Sequence, residues 1–333
     1  MTDTILNIRI IIPYKTSGLD ADAIIYSKII RKINKYNEVK INKSDDIAKL
    51  EKPIPIDDIH IYISNADKRW FPYCKKKYFM VNHELFFQSE KDRDEIQQID
   101  TALCRTHIGS IWANKVKSEQ SFKYDVEETK FTTFFPEKDI TKHWNILLHS
   151  AGEHHWKQTD SIIKAWQQHT DLPLIIITCT DQCFRNIEPL LKKGGYPKNM
   201  YLHKKLLEYE EFVIVKNKIG MHLCPSIVEG YGHYINEARK IKSLVITTNM
   251  APMNELIDET CGVLINCSSY GTKKNGTPLC FVTEHDIYNG VMLALSMTIE
   301  KRKELAEVAY QRYLDDSRTF EMSIIKMLDE NKN

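Results

Sequence analysis

The run from Cys224 to Ala238 carries the residue types and the spacing best suited to chemistry in this sequence. An apolar stretch ends at Cys224 and predicts a buried strand, and a turn bracketed by Gly230 and Gly232 separates this strand from a predicted helix. Glycines let the backbone approach a ligand closely. A helix that begins near Gly232 would direct its free amides and the positive end of its dipole at that ligand, which suits a phosphate.

Two acidic residues share this run. Glu229 lies in the predicted turn, where its carboxylate can accept hydrogen bonds from sugar hydroxyls. Glu237 lies about one turn inside the predicted helix, on the ligand-facing side if Ile235 and Ala238 face the core. A carboxylate there suits the vicinal hydroxyls of a ribose. The spacing by itself fits two solvated surface acids and glycines that serve only the turn equally well, so it leaves both interpretations open.

The elements that must position these residues alternate between short β-branched runs and longer amphipathic segments. This alternation predicts an α/β fold with helices layered on parallel sheets. The second half predicts a complete doubly wound unit, with strands at Asn145–Ala151, Leu174–Thr178, Met200–His203, Met221–Cys224, Leu244–Thr247 and Gly262–Ile265. The first half predicts strands at Ile8–Pro13, Glu38–Ile41, Ile59–Ser64, Tyr78–Val81 and Thr101–Arg105, and it closes with Phe131–Pro136.

The length of 333 residues exceeds the roughly 100–200 residues of one domain, so two domains are expected. The predicted domains are residues 1–140 and 141–305, and helices over 306–333 are expected to pack back on the first domain. The last predicted helices are residues 284–297, 301–313 and 320–331, and residues 268–277 read as a polar surface loop. Ligands of such folds bind outside the carboxyl ends of the strands.

Composition excludes several classes of protein. The chain is 42% hydrophobic and 27% charged, with a net charge of +1, which indicates a globular protein and gives no reason to expect nucleic acid or an anionic membrane as a partner. The sequence contains neither a signal peptide nor a membrane span, so a cytoplasmic location is expected. The abundance of Lys, Asn and Ile is typical of an AT-rich genome, bacterial or viral; a viral protein would act in the host cytoplasm. The eight cysteines form no CxxC pair and are expected to be structural.

The run from Glu229 to Glu237 resembles the Glu-x7-Glu signature of the retaining glycosyltransferases of family 4. His149–Thr159 resembles the loop that opens the C-terminal domain of that family, and Thr247–Leu256 resembles its next loop. Val81–Glu84 and Leu103–Thr106 resemble loops after N-domain strands in a bacterial subgroup. The resemblance implies the GT-B fold, in which two Rossmann-like domains face each other across a cleft. The N-terminal domain would then be on the acceptor side and the C-terminal domain would bind the nucleotide-sugar donor.

The resemblance implies a donor-binding role for each matching residue in the second half. Lys157 would bind the donor diphosphate, and Glu237 would bind the donor ribose. Glu229 would contact the donor sugar close to the reacting carbon. The backbone of the glycine turn would hold sugar or phosphate oxygens, through Gly230, Tyr231 and Gly232.

In the first half the implied roles fall on three residues. Gly18 resembles part of the flexible glycine loop over the phosphates, and His83 and Glu84 would face the donor sugar and the acceptor. The implied catalytic residues are then Glu229, His83 and Lys157.

The implied reaction moves a sugar from a nucleotide-diphosphate sugar, UDP- or GDP-linked, to an acceptor hydroxyl with retention of the anomeric configuration. It needs no cofactor and no metal, and the acceptor is a glycan, a lipid-linked sugar or a small molecule. The alternatives are a non-catalytic sugar- or nucleotide-binding protein of the same fold, or a GT-B epimerase. A NAD-dependent dehydrogenase is disfavoured because Ile12–Gly18 lacks the G-x-G-x-x-G fingerprint.

The sequence departs from the family pattern in the loop that carries Lys157. The family has a basic residue four or five positions earlier, where this chain has Glu153 and Gly152. Either this positive charge is missing, or His154, His155 or another residue supplies it. Gln158 stands where the family has a glycine. These departures bear on donor affinity rather than on the fold.

Overall fold

The computed structural model describes residues 5–14, 17–35, 37–86, 90–152 and 155–332. The chain divides into two compact units: unit 1 comprises Met1–Thr132 and Asp315–Asn333, and unit 2 comprises Thr133–Leu314. Each unit has its own parallel sheet and its own hydrophobic core. No helix within the described ranges is both long and apolar enough to cross a membrane.

The sheet of unit 1 is parallel throughout. Its strands in the described residues are β1 Asn7–Ile12, β2 Glu38–Lys43, β3 Asp57–Ile63, β4 Cys74–Val81, β5 Thr101–Cys104 and β6 Asp125–Glu128. They pair in the order β2-β1-β3-β4-β5-β6. The strand order therefore reverses between β1 and β3, which makes that pair the switch point of the unit.

Helices cover the sheet of unit 1, and their sequences account for this. They are α1 Ser17–Ile33, α2 Glu90–Ile96 and α3 His107–Gln120 within the described residues. Successive turns of α1 bury Ala23, Tyr26 and Ile30 on one face of the helix. The side chain of Thr106 caps α3 by accepting a hydrogen bond from the Gly109 amide, at 3.2 Å.

Unit 2 contains a second parallel sheet. Its strands are β7 His143–Gly152, β8 Ile175–Cys179, β9 Met200–His203, β10 Ile219–Cys224, β11 Leu244–Thr248 and β12 Val263–Ile265. They pair in the order β12-β11-β10-β7-β8-β9. This is the strand order of a dinucleotide-binding sheet, and it reverses between β7 and β10. Strand β10 is buried at every position, as expected for a central parallel strand.

Helices and a small hairpin complete unit 2. Its described helices are α4 Thr159–Gln168, α5 Asp181–Gly194, α6 Tyr209–Lys218, α7 His233–Lys240, α8 Met253–Leu256 and α9 Glu284–Ser296. The hairpin pairs β13 Ser269–Thr272 with β14 Pro278–Phe281. The last helix, α10 Ile299–Glu330, starts in unit 2 and ends in unit 1.

Four details differ from the sequence prediction. The predicted surface loop over 268–277 contains strand β13, and Cys267 and Cys280 at its borders form a disulfide. The helices predicted over 301–313 and 320–331 are one helix, because neither glycine nor proline lies between them to end it. The sixth strand of unit 1 is Asp125–Glu128, a mostly charged edge strand, and Phe131–Pro136 forms no strand.

Candidate functional site

The two segments singled out in the second half follow the two strands at the switch point of unit 2. Lys157 lies in a short 3-10 turn after β7, and Glu229 lies in the loop after β10. The two strands are paired directly. A buried histidine also joins them, because His149 Nδ1 contacts the Leu223 carbonyl at 2.9 Å and its Nε2 contacts Thr159 Oγ1 at 2.9 Å. The chain therefore places both loops at the same edge of the sheet.

Hydrogen bonds to neighbouring segments hold the loop after β10 in place. The Ile227 amide donates to the Trp156 carbonyl at 2.7 Å, and the Ile227 carbonyl accepts from the Cys280 amide at 3.0 Å. Two threonines at the end of β11 donate to carbonyls on either side of Pro225: Thr247 to Cys224 O and Thr248 to Ser226 O, both at 2.7 Å. The loop is thus attached to the Lys157 turn, to β14 and to β11, and its backbone is preorganised.

A glycine begins helix α7. Gly232 occupies the N-cap with φ of 90°, and a Cβ there would lie 3.3 Å from carbon atoms of both Ile235 and Leu256. Ile235 and Ala238 are fully buried, as the sequence prediction required, and Glu237 is partly exposed. Tyr231 is buried, and its ring packs edge-on against His233 with centroids 5.3 Å apart.

Ser226 connects Glu229 to the helix. Its Oγ donates to Glu229 Oε1 at 2.5 Å and also contacts the Tyr234 hydroxyl at 2.5 Å. Since Ser226 donates to the carboxylate, Tyr234 is the donor in the second hydrogen bond. Ser226 and Tyr234 are both buried, so the direction of the Glu229 carboxylate is set by groups withdrawn from water.

The Lys157 ammonium lies over the aromatic ring of Tyr234. Its Nζ lies 3.9 Å from the Tyr234 ring centroid and donates to the Ser150 carbonyl at 3.1 Å. Burial lowers the pKa of Lys157, while the nearby Glu229 carboxylate acts in the opposite direction. Lys157 and Glu229 are therefore organised around one buried side chain, Tyr234.

Gln158 stands at the position where the sequence resemblance predicts a glycine. Its backbone is left-handed, with φ of 50° and ψ of 35°, which is a conformation that glycine adopts without strain. Its side chain spans two loops: Nε2 donates to the Pro225 carbonyl at 3.1 Å and Oε1 accepts from the Val282 amide at 2.8 Å. These two hydrogen bonds offset the backbone strain and tie the Lys157 turn to the loop of Glu229.

Glu237 forms an ion pair that the sequence analysis did not predict. Its Oε2 contacts the Nζ of Lys216, which lies on α6 and is fully buried. The only signal in the sequence is a lysine directly after the apolar run 212–215. Ser226 and Tyr234 were also missed as contributors, although both lie within the run from Cys224 to Ala238.

In unit 1, His83 and Glu84 follow β4, as the sequence analysis predicted. His83 is buried, and its Nδ1 lies 3.9 Å from Glu84 Oε2. Gly18 lies in the first turn of α1 rather than in a loop, and a Cβ on it would meet open space.

A buried polar network adjoins His83. Asn82 bonds to Ser64 through its amide nitrogen and to Arg105 through its oxygen. Arg105, at the end of β5, also forms an ion pair with Asp22 of α1 at 2.9 Å. The network joins the carboxyl ends of β3, β4 and β5 to α1, so the backbone that carries His83 is held firmly.

Each unit also has a cavity. In unit 1 a cavity of about 430 Å³ opens beside the switch point and is lined by Pro13, Tyr14, Ser44, Asp45, Asn65, Ala66, Asp67, Lys68, Arg69 and Glu95. In unit 2 a cavity of about 560 Å³ is lined by residues 137–142 and by Trp144, Ile241, Lys242, Lys303 and Glu307. The cavity of unit 2 lies near the starts of β7 and β11, away from Lys157 and Glu229.

The side chains of Glu153, His154 and His155 lie outside the described residues. Among the side chains that the structure describes, no group of three or more His, Cys, Asp or Glu is arranged to hold a metal ion.

Comparison with known proteins rests on structure alone, since no protein-family model and no curated protein matches the chain. The chain is similar to a glycosyltransferase from Rickettsia africae, with a TM-score of 0.74 at 12% identity, covering 98% of each chain. It is similar to Anabaena HepE in complex with UDP and glucose, with a TM-score of 0.73 at 10% identity, covering 98% of this chain and 100% of HepE.

A third similar structure is TarM, described from S. aureus. The TM-score is 0.63 at 15% identity, and the match covers 86% of this chain but spans only 57% of TarM. At sequence identities this low, the structural similarity shows a shared fold and no more. The predicted α/β fold class with two Rossmann-like doubly wound domains is therefore confirmed, and this fold is shared with glycosyltransferases.

Proposed function

We propose that the chain is a glycosyltransferase that moves a sugar from a nucleotide-diphosphate sugar to an acceptor hydroxyl, with retention of the anomeric configuration. The observation that carries the proposal is the arrangement around Tyr234: the Lys157 ammonium lies on its ring, and Glu229 is linked to its hydroxyl through Ser226. Lys157 and Glu229 follow the two strands of the switch point, where doubly wound sheets bind ligands.

Lys157 supplies what the leaving group needs. In this reaction negative charge grows on the diphosphate oxygens, and a fixed cation stabilises that charge in the transition state. Burial lowers the pKa of Lys157 in the unliganded protein. A bound diphosphate raises this pKa again, because an adjacent anion favours the ammonium form. Donor binding therefore strengthens the cation that the departing diphosphate requires.

Glu229 serves the sugar. The anomeric carbon becomes positively charged in an oxocarbenium-like transition state, and a carboxylate beside it is stabilising. The hydrogen bond from Ser226 directs this carboxylate before the sugar arrives. In the proposed retaining mechanism the acceptor hydroxyl enters on the face that the diphosphate leaves and passes its proton to the leaving phosphate. His83 and Glu84 remain the candidates in unit 1 for contacts with the donor sugar and the acceptor.

The first donors to test are UDP-sugars, because HepE was crystallised with UDP, with UDP-glucose and with UDP and glucose. GDP-sugars are the second choice. The experiment is a thermal-shift panel of UDP-, GDP-, ADP-, CDP- and TDP-sugars, with and without EDTA. A ligand that binds only the folded protein stabilises it, by about 2.7 kcal/mol at a hundredfold excess over Kd, and therefore raises the melting temperature.

We expect a selective shift with one nucleotide that EDTA leaves unchanged. The same donor should then be hydrolysed slowly without an acceptor and consumed faster with one. Absence of a shift with every nucleotide would refute the proposed function. Binding without hydrolysis or transfer would indicate a non-catalytic nucleotide-sugar-binding protein, and conversion of the donor into its epimer would indicate an epimerase.

A further inference from the structure

Lys216 is the most deeply buried charged residue near the proposed donor site. Its side chain is 0% exposed, although it lies in the last turn of α6, where lysines ordinarily reach water. An ammonium withdrawn from water loses a large hydration free energy, so its position needs compensation. The neighbouring Lys218, in the same turn, is exposed.

Three groups compensate the buried ammonium. The rings of Phe135 and Phe212 each have their centroid 5.1 Å from Lys216 Nζ, and they offer the negative faces of their π-systems. The third group is the Glu237 carboxylate, which contacts Nζ through Oε2. Glu237 itself keeps 21% of its side chain exposed, so the pair reaches the surface through the carboxylate only.

Stability of the fold does not explain why a lysine is buried at position 216. Buried ion pairs contribute little net stability, and an apolar side chain beside two phenylalanines would pack at least as well. The same lysine is well suited to hold one oxygen of Glu237. A carboxylate on an exposed helical turn samples several rotamers, whereas one pinned by a buried ammonium is restricted to a single direction.

We propose that Lys216 is the positioning residue for the ribose-binding carboxylate. This inference rests on the proposed function, which assigns the donor ribose to Glu237. Lys216 Nζ holds Glu237 Oε2, and Oε1 is thereby directed to accept hydrogen bonds from the ribose hydroxyls. Lys216 also neutralises the charge of Glu237, so that the site offers strong acceptor oxygens without adding repulsion against an anionic diphosphate.

The test compares two ligands that differ only in the ribose hydroxyls, UDP and 2′,3′-dideoxy-UDP, by calorimetry on the full chain. The ratio of their affinities reports the carboxylate–ribose contact alone, since effects on the base and the diphosphate cancel. A charged hydrogen bond of this kind favours UDP about tenfold or more in the wild type. In Lys216→Met we expect this preference to fall to about twofold or less, as in Glu237→Ala.

Two controls bracket this result. Lys218→Met removes the exposed lysine of the same helical turn and should leave the ratio at its wild-type value. Lys216→Arg keeps a cation beside Glu237 and should retain the preference to within about threefold of wild type, because a guanidinium also donates to a carboxylate. If Lys216 served only to fill space, the Met and Arg variants would show the same affinity ratio.

A folded Lys216→Met variant with the wild-type ratio would overturn the proposal. If that variant does not fold, Lys216→Leu, which also lacks a hydrogen-bond donor and fits beside Phe135 and Phe212, provides the same comparison. Failure of both variants to fold would show that the ion pair serves the fold, which also overturns it. Failure of the proposed function gives a different outcome, because the wild-type protein would then bind none of the nucleotides of the thermal-shift panel. If the panel selects a nucleotide other than UDP, that nucleotide and its 2′,3′-dideoxy analogue replace the uridine pair in the test.

Discussion

Tyr234 contacts both the support of Glu229 and the ammonium of Lys157, and substitutions of Tyr234 can remove these two contacts separately. Its hydroxyl supports Glu229 through Ser226, and its ring carries the ammonium of Lys157. Tyr234→Phe removes the hydroxyl and keeps the ring. Tyr234→Leu removes both. We therefore expect the Phe variant to impair the chemical step selectively and the Leu variant to impair nucleotide binding as well.

The magnitudes follow from the contacts that each variant loses. Loss of one buried hydrogen bond costs about 0.5–1.5 kcal/mol of stability, which lowers the melting temperature by about 1–6 °C in a unit of this size. If a comparable loss reaches the transition state through Glu229, turnover falls about two- to thirteenfold. Nucleotide affinity should stay within about twofold. The Leu variant also loses the cation–π contact, worth about 0.5–2 kcal/mol, and should bind the nucleotide about 2- to 30-fold more weakly.

The assay measures donor hydrolysis and transfer at saturating donor, with nucleotide affinity by calorimetry. Tyr313→Phe is the matched control, because Tyr313 is also buried in unit 2 and donates one hydrogen bond, to the Thr133 carbonyl at 2.7 Å. It should lose similar stability without any change in turnover or affinity. A Tyr234→Phe variant with wild-type turnover would refute the role of the hydroxyl, and wild-type affinity in Tyr234→Leu would refute the role of the ring.

Three further predictions concern neighbouring residues. Lys157→Ala should lower turnover by about a hundredfold or more, since it removes a leaving-group stabiliser; a rate within threefold of wild type would exclude that role. Gln158→Gly should be about 1 kcal/mol more stable than Gln158→Ala in urea titrations, because both lose two hydrogen bonds and only glycine relieves the left-handed strain; equal stabilities would contradict the strain. Burial lowers the pKa of His149 from 6.5 to about 3, so the unfolded chain binds a proton that the folded protein does not. Stability should therefore fall as the pH drops from 6.5 towards 3, by about 1.4 kcal/mol per pH unit from this residue, and His149→Gln should show a correspondingly smaller slope in urea titrations across this range.

Much of the fold was predictable because the central strands are runs of β-branched and apolar residues. The strand Met200–His203 has the predicted bounds, and most other predicted strands differ by a few residues at their ends. The failures lie where local pattern carries no such information. Strand β6 is mostly charged because it is an edge strand, and its pairing to β5 is decided by tertiary contacts. The sequence analysis predicted a break in the last helix between residues 313 and 320, although no glycine or proline lies there, and helix α10 is continuous.

The candidate site divides in the same way. Glu229, Glu237 and Lys157 are recognisable because they stand in a turn, in a helix and in a loop of characteristic composition. Lys216 was not recognisable, since it contacts a residue 21 positions away on another helix and sequence spacing holds no trace of that contact. The side-chain bridges of Gln158 are invisible for the same reason. The residues proposed to contact the ligand follow local sequence patterns, whereas the residues that hold them in place depend on contacts made in the packed fold.

The sequence resemblance predicts a basic residue four or five positions before Lys157, where this chain has Glu153 and Gly152. Gly152, five positions before the lysine, has φ of 61°, and a Cβ on it would lie 4.0 Å from Lys157 Nζ. An arginine or lysine at Gly152 would be strained, because only glycine adopts this positive φ readily. Lys157 interacts electrostatically with a second described cation, Lys216, and with two carboxylates, Glu229 and Glu237. The charges of these four groups balance. We expect a bound diphosphate to accept further hydrogen bonds from the backbone amides at the start of α7, where Gly232 would allow a close approach.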